Sequence, residues 1–407
     1  MFLSDISQVG MPTLLSKYTG VNMHFVIDGT SAINTIRAIQ RYNWNLITEM
    51  AGIDNENEFS LLYLGYRPEM TLPPVTNPNF HPVNSSISGK LLNLSWKFTS
   101  FPDISFWVKK PFDLVHFPGG SAYIPNNCKA VLTTLHGFHY YAIPQHTEFS
   151  GRYLVIKNLE KTIKNSTNFI TVSENNKNEL IRFCGVVPEK ITAIPLGISP
   201  EFRKYELDDE IKNKIRKRYS LRNKKIVLFV GALEPHKNIH GIIEAYSLLD
   251  GIAKNNLDLV FVGSKTKYQD KYQNLIRQFG ITDNVRFIDY IVPGSIDLAY
   301  IYNLAELFIF PTFYEGWASP PLEAMKCGVP AIVSNIPSLI ESTGGIATYC
   351  DPYNPEDIAE KMMEVLSDRS KCQKLKQDGL QFSSEYTWRR CAEKTLHLYK
   401  RLLLQIN

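Results

Sequence analysis

A chain of 407 residues is too long for one ordinary hydrophobic core, so its length points to two domains of about 200 residues each. With 44% hydrophobic and 21% charged residues, the composition is that of a globular protein rather than a disordered or fibrous one. The net charge of +4 is not gathered in one stripe, which argues against a nucleic-acid binder and leaves room only for weak attraction to an anionic membrane surface. Six cysteines without a CxxC pair give neither a zinc framework nor a disulfide scaffold and fit a reducing cytosol.

Residues 1–22 precede the first strand and read as an extension, disordered or otherwise, that carries no chemistry. Short runs rich in Val, Ile and Phe then alternate with helical stretches, the pattern of parallel strands in an α/β protein. In the first half the runs predict strands at 24–28, 59–64, 113–117, 130–135 and 168–172. Around 195–205 the punctuation Ile-Pro-Leu-Gly-Ile-Ser-Pro separates the halves, placing the first domain at 1–200 and the second at 201–384. The charged run 208–218 reads as a solvated helix, and its Asp208-Asp209 pair lacks the neighbouring ligands a metal would need. Strands are predicted next at 226–231, 257–263, 285–288, 307–310, 331–334 and 346–349, with helices at 239–249, 268–280, 321–327 and 355–366. The last segment, 385–407, holds an amphipathic pattern over 388–404 and reads as a closing helix. The fold class is α/β, with two doubly wound, Rossmann-like sheets in tandem. No apolar run reaches the length of a membrane span, so a lipid substrate would be met by docking on the bilayer.

Three strand ends carry candidate chemistry. After the strand at 307–310 comes a turn with Glu315 and Gly316, then a helix for which Ser319 reads as the N-cap. Ligands of open α/β sheets bind beyond the carboxyl ends of strands, where a helix start offers free N–H groups and a positive dipole end to a diphosphate. Pro320 and Pro321 have no amide hydrogen, which leaves Ala318, Ser319 and Leu322 as the donors. Glu315 in the turn and Glu323 near the first helical turn would address different parts of one ligand. Either glutamate alone would read as a surface group or a dipole partner; the strand–turn–helix context favours a site. A second constellation is the strand at 226–231 running through Gly231 to His236 and Lys237 at a helix start, where an ammonium could neutralise a leaving phosphate. The third is Leu135-His136-Gly137-Phe138-His139, where a histidine facing the cleft could serve as a hydrogen-bonding group or base, or simply pack. Gly119-Gly120 follows another strand, either as a turn or as part of the same cleft.

From Tyr314 through Pro330, with Glu315 and Glu323 as an E-x7-E pair, the order of residues resembles the large family-4 group of retaining glycosyltransferases. So do the stretch from Gly231 to Asn238, the stretch from Ser334 to Glu341, and the Ser173, Glu179 and Gly197 segments. The resemblance implies a GT-B fold, two Rossmann-like domains facing a cleft, with the final helix crossing back to the first domain. It implies a nucleotide-sugar donor, no further cofactor and no metal. Glu323 would hold the nucleotide ribose and Glu315 the transferred sugar; Lys237 with the amides near Gly316, Ala318 and Ser319 would stabilise the diphosphate; His136 would lie beside the sugar. The acceptor would be a saccharide or a lipid-linked saccharide in cell-surface glycan synthesis, with a hexose, mannose in the nearest resemblance, as the sugar moved. The setting implied is cytoplasmic, at the inner membrane face if the acceptor is a lipid; the oligomeric state is not legible. Two departures stand out. The run Ala38-Ile-Gln-Arg-Tyr42 has Ala38 and Gln40 where the family has glycines, and His236 stands where it commonly has arginine. The altered glycine-poor run keeps open a non-catalytic sugar-nucleotide-binding subunit, and a nucleotide-sugar epimerase of the same fold is a further alternative.

Overall fold

The computed structural model describes residues 22–33, 38–87, 91–92, 95–96, 99, 101–122, 128, 130–146, 149–289, 291 and 295–406. Two wholly parallel sheets follow each other along the chain. The first joins β1 (His24–Asp28), β2 (Glu58–Leu64), β3 (Phe80–Ser85), β4 (Leu114–Phe117), β5 (Ala130–Leu135), β6 (Asn168–Thr171) and β7 (Ile191–Ala193) in the order β3-β2-β1-β4-β5-β6-β7. The second joins β8 (Lys225–Val230), β9 (Leu257–Val262), β10 (Val285–Ile288), β11 (Leu307–Phe310), β12 (Ala331–Ser334) and β13 (Thr348–Cys350) in the order β10-β9-β8-β11-β12-β13. Central strands such as β4, β5, β9 and β11 are buried along their whole length, because helices cover both faces of a parallel sheet. That is why their sequences are mostly apolar, with the few polar side chains, such as His116 and Asp258, buried and paired.

The helices of seven or more described residues are α1 (Ala38–Ile53), α2 (Phe149–Asn165), α3 (Glu174–Cys184), α4 (Asp209–Arg218), α5 (Ile239–Leu248), α6 (Gln269–Gln278), α7 (Ile296–Leu304), α8 (Ser319–Lys326), α9 (Pro337–Thr343), α10 (Pro355–Ser367), α11 (Arg369–Ser383) and α12 (Trp388–Ile406). Local chemistry sets many of their starts. Ser173 caps α3 through the Asn176 amide, Asn354 caps α10 through the amides of Glu356 and Asp357, and Asp208 caps α4 by accepting from Ile211 N at 2.8 Å. Asp208 is therefore a helix cap, and among the described residues no group of three or more His, Cys, Asp or Glu is placed to hold a metal ion.

The final helix joins the core of the first domain. Trp388, Cys391, Ala392, Leu396, Tyr399, Leu402 and Leu403 are buried with helical spacing, along one face of a helix. They pack with Phe25, Leu46 and Met50, and the Tyr399 ring lies 5.1 Å from that of Phe25. Burial of each large apolar side chain contributes about 1.5–3 kcal/mol, so this face anchors the end of the chain firmly. Gly197 makes the crossing feasible: a Cβ there would run into the backbone of Thr387 and Trp388.

In each sheet the strand order reverses at one point, between β1 and β4 in the first and between β8 and β11 in the second. The loops leaving those strands face one another across the cleft between the domains, which is where an open α/β sheet binds ligands.

Candidate active site

The segment after β11 is pinned before it reaches the cleft. The Thr312 carbonyl accepts the Ser334 hydroxyl at 2.5 Å, and Phe313 N donates to the His236 carbonyl at 2.9 Å, tying this loop to the one after β8. Helix α8 then starts at Ser319 with Ala318 as its cap residue, and no side chain caps it. The expectation of a Ser319 cap is thus corrected by one position. With Ala318 as the cap position, both prolines lie inside the first turn, where their missing donors are harmless. In that register the Leu322 N–H turns back to the Ala318 carbonyl, leaving Ala318 and Ser319 as the outward donors.

Glu315 lies in the loop with its carboxylate ion-paired to the Lys237 ammonium, both side chains mostly buried. Burial raises the Glu315 pKa above the usual carboxylate value, and Lys237 opposes that rise. The Lys237 ammonium also lies 5.2 Å from the Phe310 ring centre. Gly231, at φ 156, begins the loop that delivers His236 and Lys237, and its close approach to Gly263 leaves no room for a side chain on the latter.

Glu323 is only 2% exposed and both of its oxygens are engaged. Arg41 of α1 donates to Oε1 at 2.8 Å and Tyr302 of α7 donates to Oε2 at 3.0 Å. The Arg41 contact crosses from the first domain to the second. Nothing in the separate motifs announces it, since the partners are 282 residues apart. Arg41 sits in the run Ala38–Tyr42 that was read only for its lost glycines; residues 34–37 of that loop lie outside the described residues.

His136, at the end of β5, has its ring Nε2 2.8 Å from the Pro118 carbonyl and its ring 5.0 Å from that of Tyr42. Burial lowers its pKa, with the Pro118 carbonyl opposing, so the ring is neutral near pH 7 and the bond to Pro118 makes Nε2 the donor. Nδ1 is left as an acceptor. His116, by contrast, is a core residue, held between the Tyr399 hydroxyl at 2.6 Å and the Thr134 hydroxyl at 2.7 Å.

Further polar contacts close the domains on each other. The Tyr314 hydroxyl accepts from Phe138 N at 2.6 Å and donates to the Glu179 carboxylate at 2.7 Å; Ser173 donates to the Gly316 carbonyl at 2.8 Å. Glu341 receives the Glu174 and Asn175 amides at 2.7 and 2.9 Å, so a carboxylate of the second domain sits on the N-terminus of α3 in the first. Gly316 has to be glycine for this closure, because a Cβ would overlap the His136 carbonyl.

Between these contacts lies a cavity of about 430 Å³ lined by Gly119, Gly120, His136, His139, His236, Glu315 and Gly316, with Val155 and Asn158 of α2 along one wall. Grooves of about 830 and 770 Å³ beside α11 and α12 are larger, but they lie away from the paired carboxylates. The smaller cavity draws loops from both switch points and holds the charged groups, so its chemistry outweighs its size. Glu315, His136 and His236 line it, with Lys237 paired to Glu315; Glu323 is on α8 itself, buried and held by Arg41 and Tyr302.

Comparison with known proteins agrees with this geometry. Residues 39–202 match the family model described as Glycosyltransferase Family 4, and residues 211–382 match the one described as Glycosyl transferases group 1. The chain is 28% identical over 297 residues to O-antigen chain mannosyltransferase B of Escherichia coli, covering 73% of this chain and 77% of that protein. It is 29% identical over 234 residues to the serotype-specific mannosyltransferase WbdA of the same species, 57% of this chain but 28% of that longer protein. Its fold superposes on sucrose-phosphate synthase from Thermosynechococcus elongatus with a TM-score of 0.71 over 94% of this chain and 99% of that one, at 17% identity. Two facing Rossmann-like domains, each matched by a glycosyltransferase model, make this chain a glycosyltransferase of the GT-B fold, which moves a sugar from a nucleotide-sugar donor to an acceptor.

Proposed function

We propose that the protein is a retaining, metal-independent hexosyltransferase that moves mannose to a saccharide or lipid-linked acceptor in cell-surface glycan synthesis. The observation that carries the reading is Glu315, which lines the cavity between the two switch points, is paired to Lys237 and lies in the loop that leads into α8. The donor diphosphate lies against the Ala318 and Ser319 amides and Lys237, which supply the positive charge the departing group needs. The ribose reaches Glu323, competing there with Arg41 for Oε1. The sugar lies in the cavity beside Glu315, with a hydroxyl donating to Nδ1 of His136. The E. coli mannosyltransferases to which the chain is similar support mannose and a surface glycan.

Retention through a covalent intermediate would need a free carboxylate poised as nucleophile. Glu315 is instead bound to Lys237, which favours attack on the same face as the leaving diphosphate, with a phosphate oxygen taking the acceptor's proton. The acceptor enters from the first domain. Where it is lipid-linked, the protein works at the cytoplasmic membrane face, and the exposed Tyr153 and Leu154 of α2, next to Arg152 and Lys157, are the surface we assign to that contact. The test is a reaction with nucleotide-bound mannose of known anomeric form, followed by NMR. The same anomer in product and donor supports the mechanism; an inverted product removes it.

A further inference from the structure

We propose that Tyr353, at the rim of the second domain, is a stacking platform for a sugar unit of the acceptor, so that the acceptor is an oligosaccharide extending beyond the unit that reacts. This rests on the reading that the cavity receives the donor's sugar. Tyr353 lies in the loop between β13 and α10, on the carboxyl side of the second sheet, where open α/β sheets bind ligands. It is 65% exposed, and among the described residues of the second domain it is the one aromatic side chain left mostly exposed. A lone exposed ring is ordinary; what distinguishes this one is how it is held. Its ring stacks on that of Phe313 with centres 4.8 Å apart and planes 28° apart, which leaves the other face to solvent.

The loop beneath the ring is fixed to the loops of the cavity. Tyr353 N donates to Asp351 Oδ1 at 2.9 Å, and the buried Asn238, next to Lys237 in the chain, donates from Nδ2 to the Pro352 carbonyl at 2.6 Å. Phe313 N donates to the His236 carbonyl at 2.9 Å. Phe313 is two residues from Glu315, so their Cα atoms are at most about 7 Å apart. The ring is thus mounted on the two segments that carry Lys237 and Glu315, yet Tyr353 stands outside the residues that line the cavity. That position decides which part of a ligand it meets. The donor's sugar occupies the cavity, so a ring beside the mouth meets an acceptor that enters from the first domain and reaches across. A pyranose turns several C–H bonds, each slightly positive, to one of its faces, which suits the negative face of an aromatic ring. Asp351, exposed next to the ring in the chain, has acceptor capacity left for a sugar hydroxyl. Because Phe313 already orders the tyrosine, stacking a sugar on it costs little further side-chain freedom.

The experiment measures transfer by the full chain from nucleotide-bound mannose to manno-oligosaccharides of one to four units. Tyr353→Ala should raise the acceptor KM about three- to tenfold with the longer acceptors, at similar kcat and donor Kd. The ratio of variant to unaltered KM should grow with acceptor length, and Tyr353→Phe, which keeps the ring, should restore it. An unchanged KM with the longer acceptors, or a loss equal at every length, overturns the platform. Weaker nucleotide-sugar binding by Tyr353→Ala with the acceptor KM unchanged gives the ring to the nucleobase, and overturns it too. Saturation-transfer NMR of the same oligosaccharides needs no turnover; no binding at any length, or equal binding by Tyr353→Ala, has the same meaning. If oligosaccharides bind through Tyr353 but no nucleotide sugar binds, it is the underlying functional reading that fails.

Discussion

Replacing Arg41 by methionine removes the cation from a carboxylate that water cannot reach. Glu323 has 3% of its side chain exposed, against 29% for Arg41. Breaking a fully buried ion pair by removing one partner costs about 3–5 kcal/mol, because the remaining charge is left without compensation. Two features reduce this figure here. Arg41 is partly hydrated, and Tyr302 continues to donate to Oε2 at 3.0 Å. A cost of about 2–3 kcal/mol is therefore expected, equivalent to a fall of roughly 5–10 °C in melting temperature for a domain of this size. Replacing both residues, Arg41→Met with Glu323→Gln, takes the stranded charge away while glutamine still accepts from Tyr302. The double variant should then be more stable than Arg41→Met alone, with a coupling energy of about 1–2 kcal/mol. Thermal and urea melts of the four proteins in the cycle measure this directly. If the two substitutions simply add, Arg41 and Glu323 do not interact across the domain boundary and the closed cleft described above is wrong.

Three other outcomes follow. Gly316→Ala drives a methyl group into the His136 carbonyl, so transfer should fall at least about tenfold while each sheet stays folded; steady-state rates together with circular dichroism check it, and unchanged rates would mean that the domains do not approach here. Asp28, buried at the end of β1, has its pKa raised to about 6 from 3.8 by burial, against the opposing Thr30 hydrogen bonds. The native state then binds a proton that the unfolded chain does not between those values, so stability should increase as pH falls from about 6 towards 4, by at most about 3 kcal/mol; Asp28→Asn should flatten that slope and stabilise the protein at pH 7–8, as denaturant melts across pH would show. Glu341→Ala takes away the partner of the first two amides of α3 and should cost about 1 kcal/mol, read as faster amide hydrogen exchange at the start of α3.

How far the sequence is legible depends on how local the information is. The central strands were readable because each is a short, mainly apolar run covered on both sides. The edge strands β3 and β7 were missed: β3 carries Pro82 and exposes much of its length, and β7 is only three residues long. Both are strands by virtue of a neighbour's hydrogen bonds rather than their own pattern. At the cavity, Glu315 and Lys237 stood out because strand, turn and helix start are contiguous in each segment. Their pairing depends on β8 and β11 lying side by side in one sheet, and that of Arg41 with Glu323 on two domains closing; single-segment spacing holds no record of either. His139 was visible as a second histidine near His136, but only the fold sets it against His236. The register of α8 was off by one residue, because a cap residue and two prolines fit the first turn in either register and local sequence does not choose between them.

The central claim is that the cavity between the switch points holds a nucleotide sugar through Lys237 and Glu323. A thermal-shift panel of GDP-, UDP-, dTDP- and ADP-sugars, followed by calorimetry on the best of them, tests it most directly. The account predicts that one donor class raises the melting temperature and that Lys237→Ala and Glu323→Ala each weaken its binding by about tenfold or more. Unchanged affinity in both variants would contradict it.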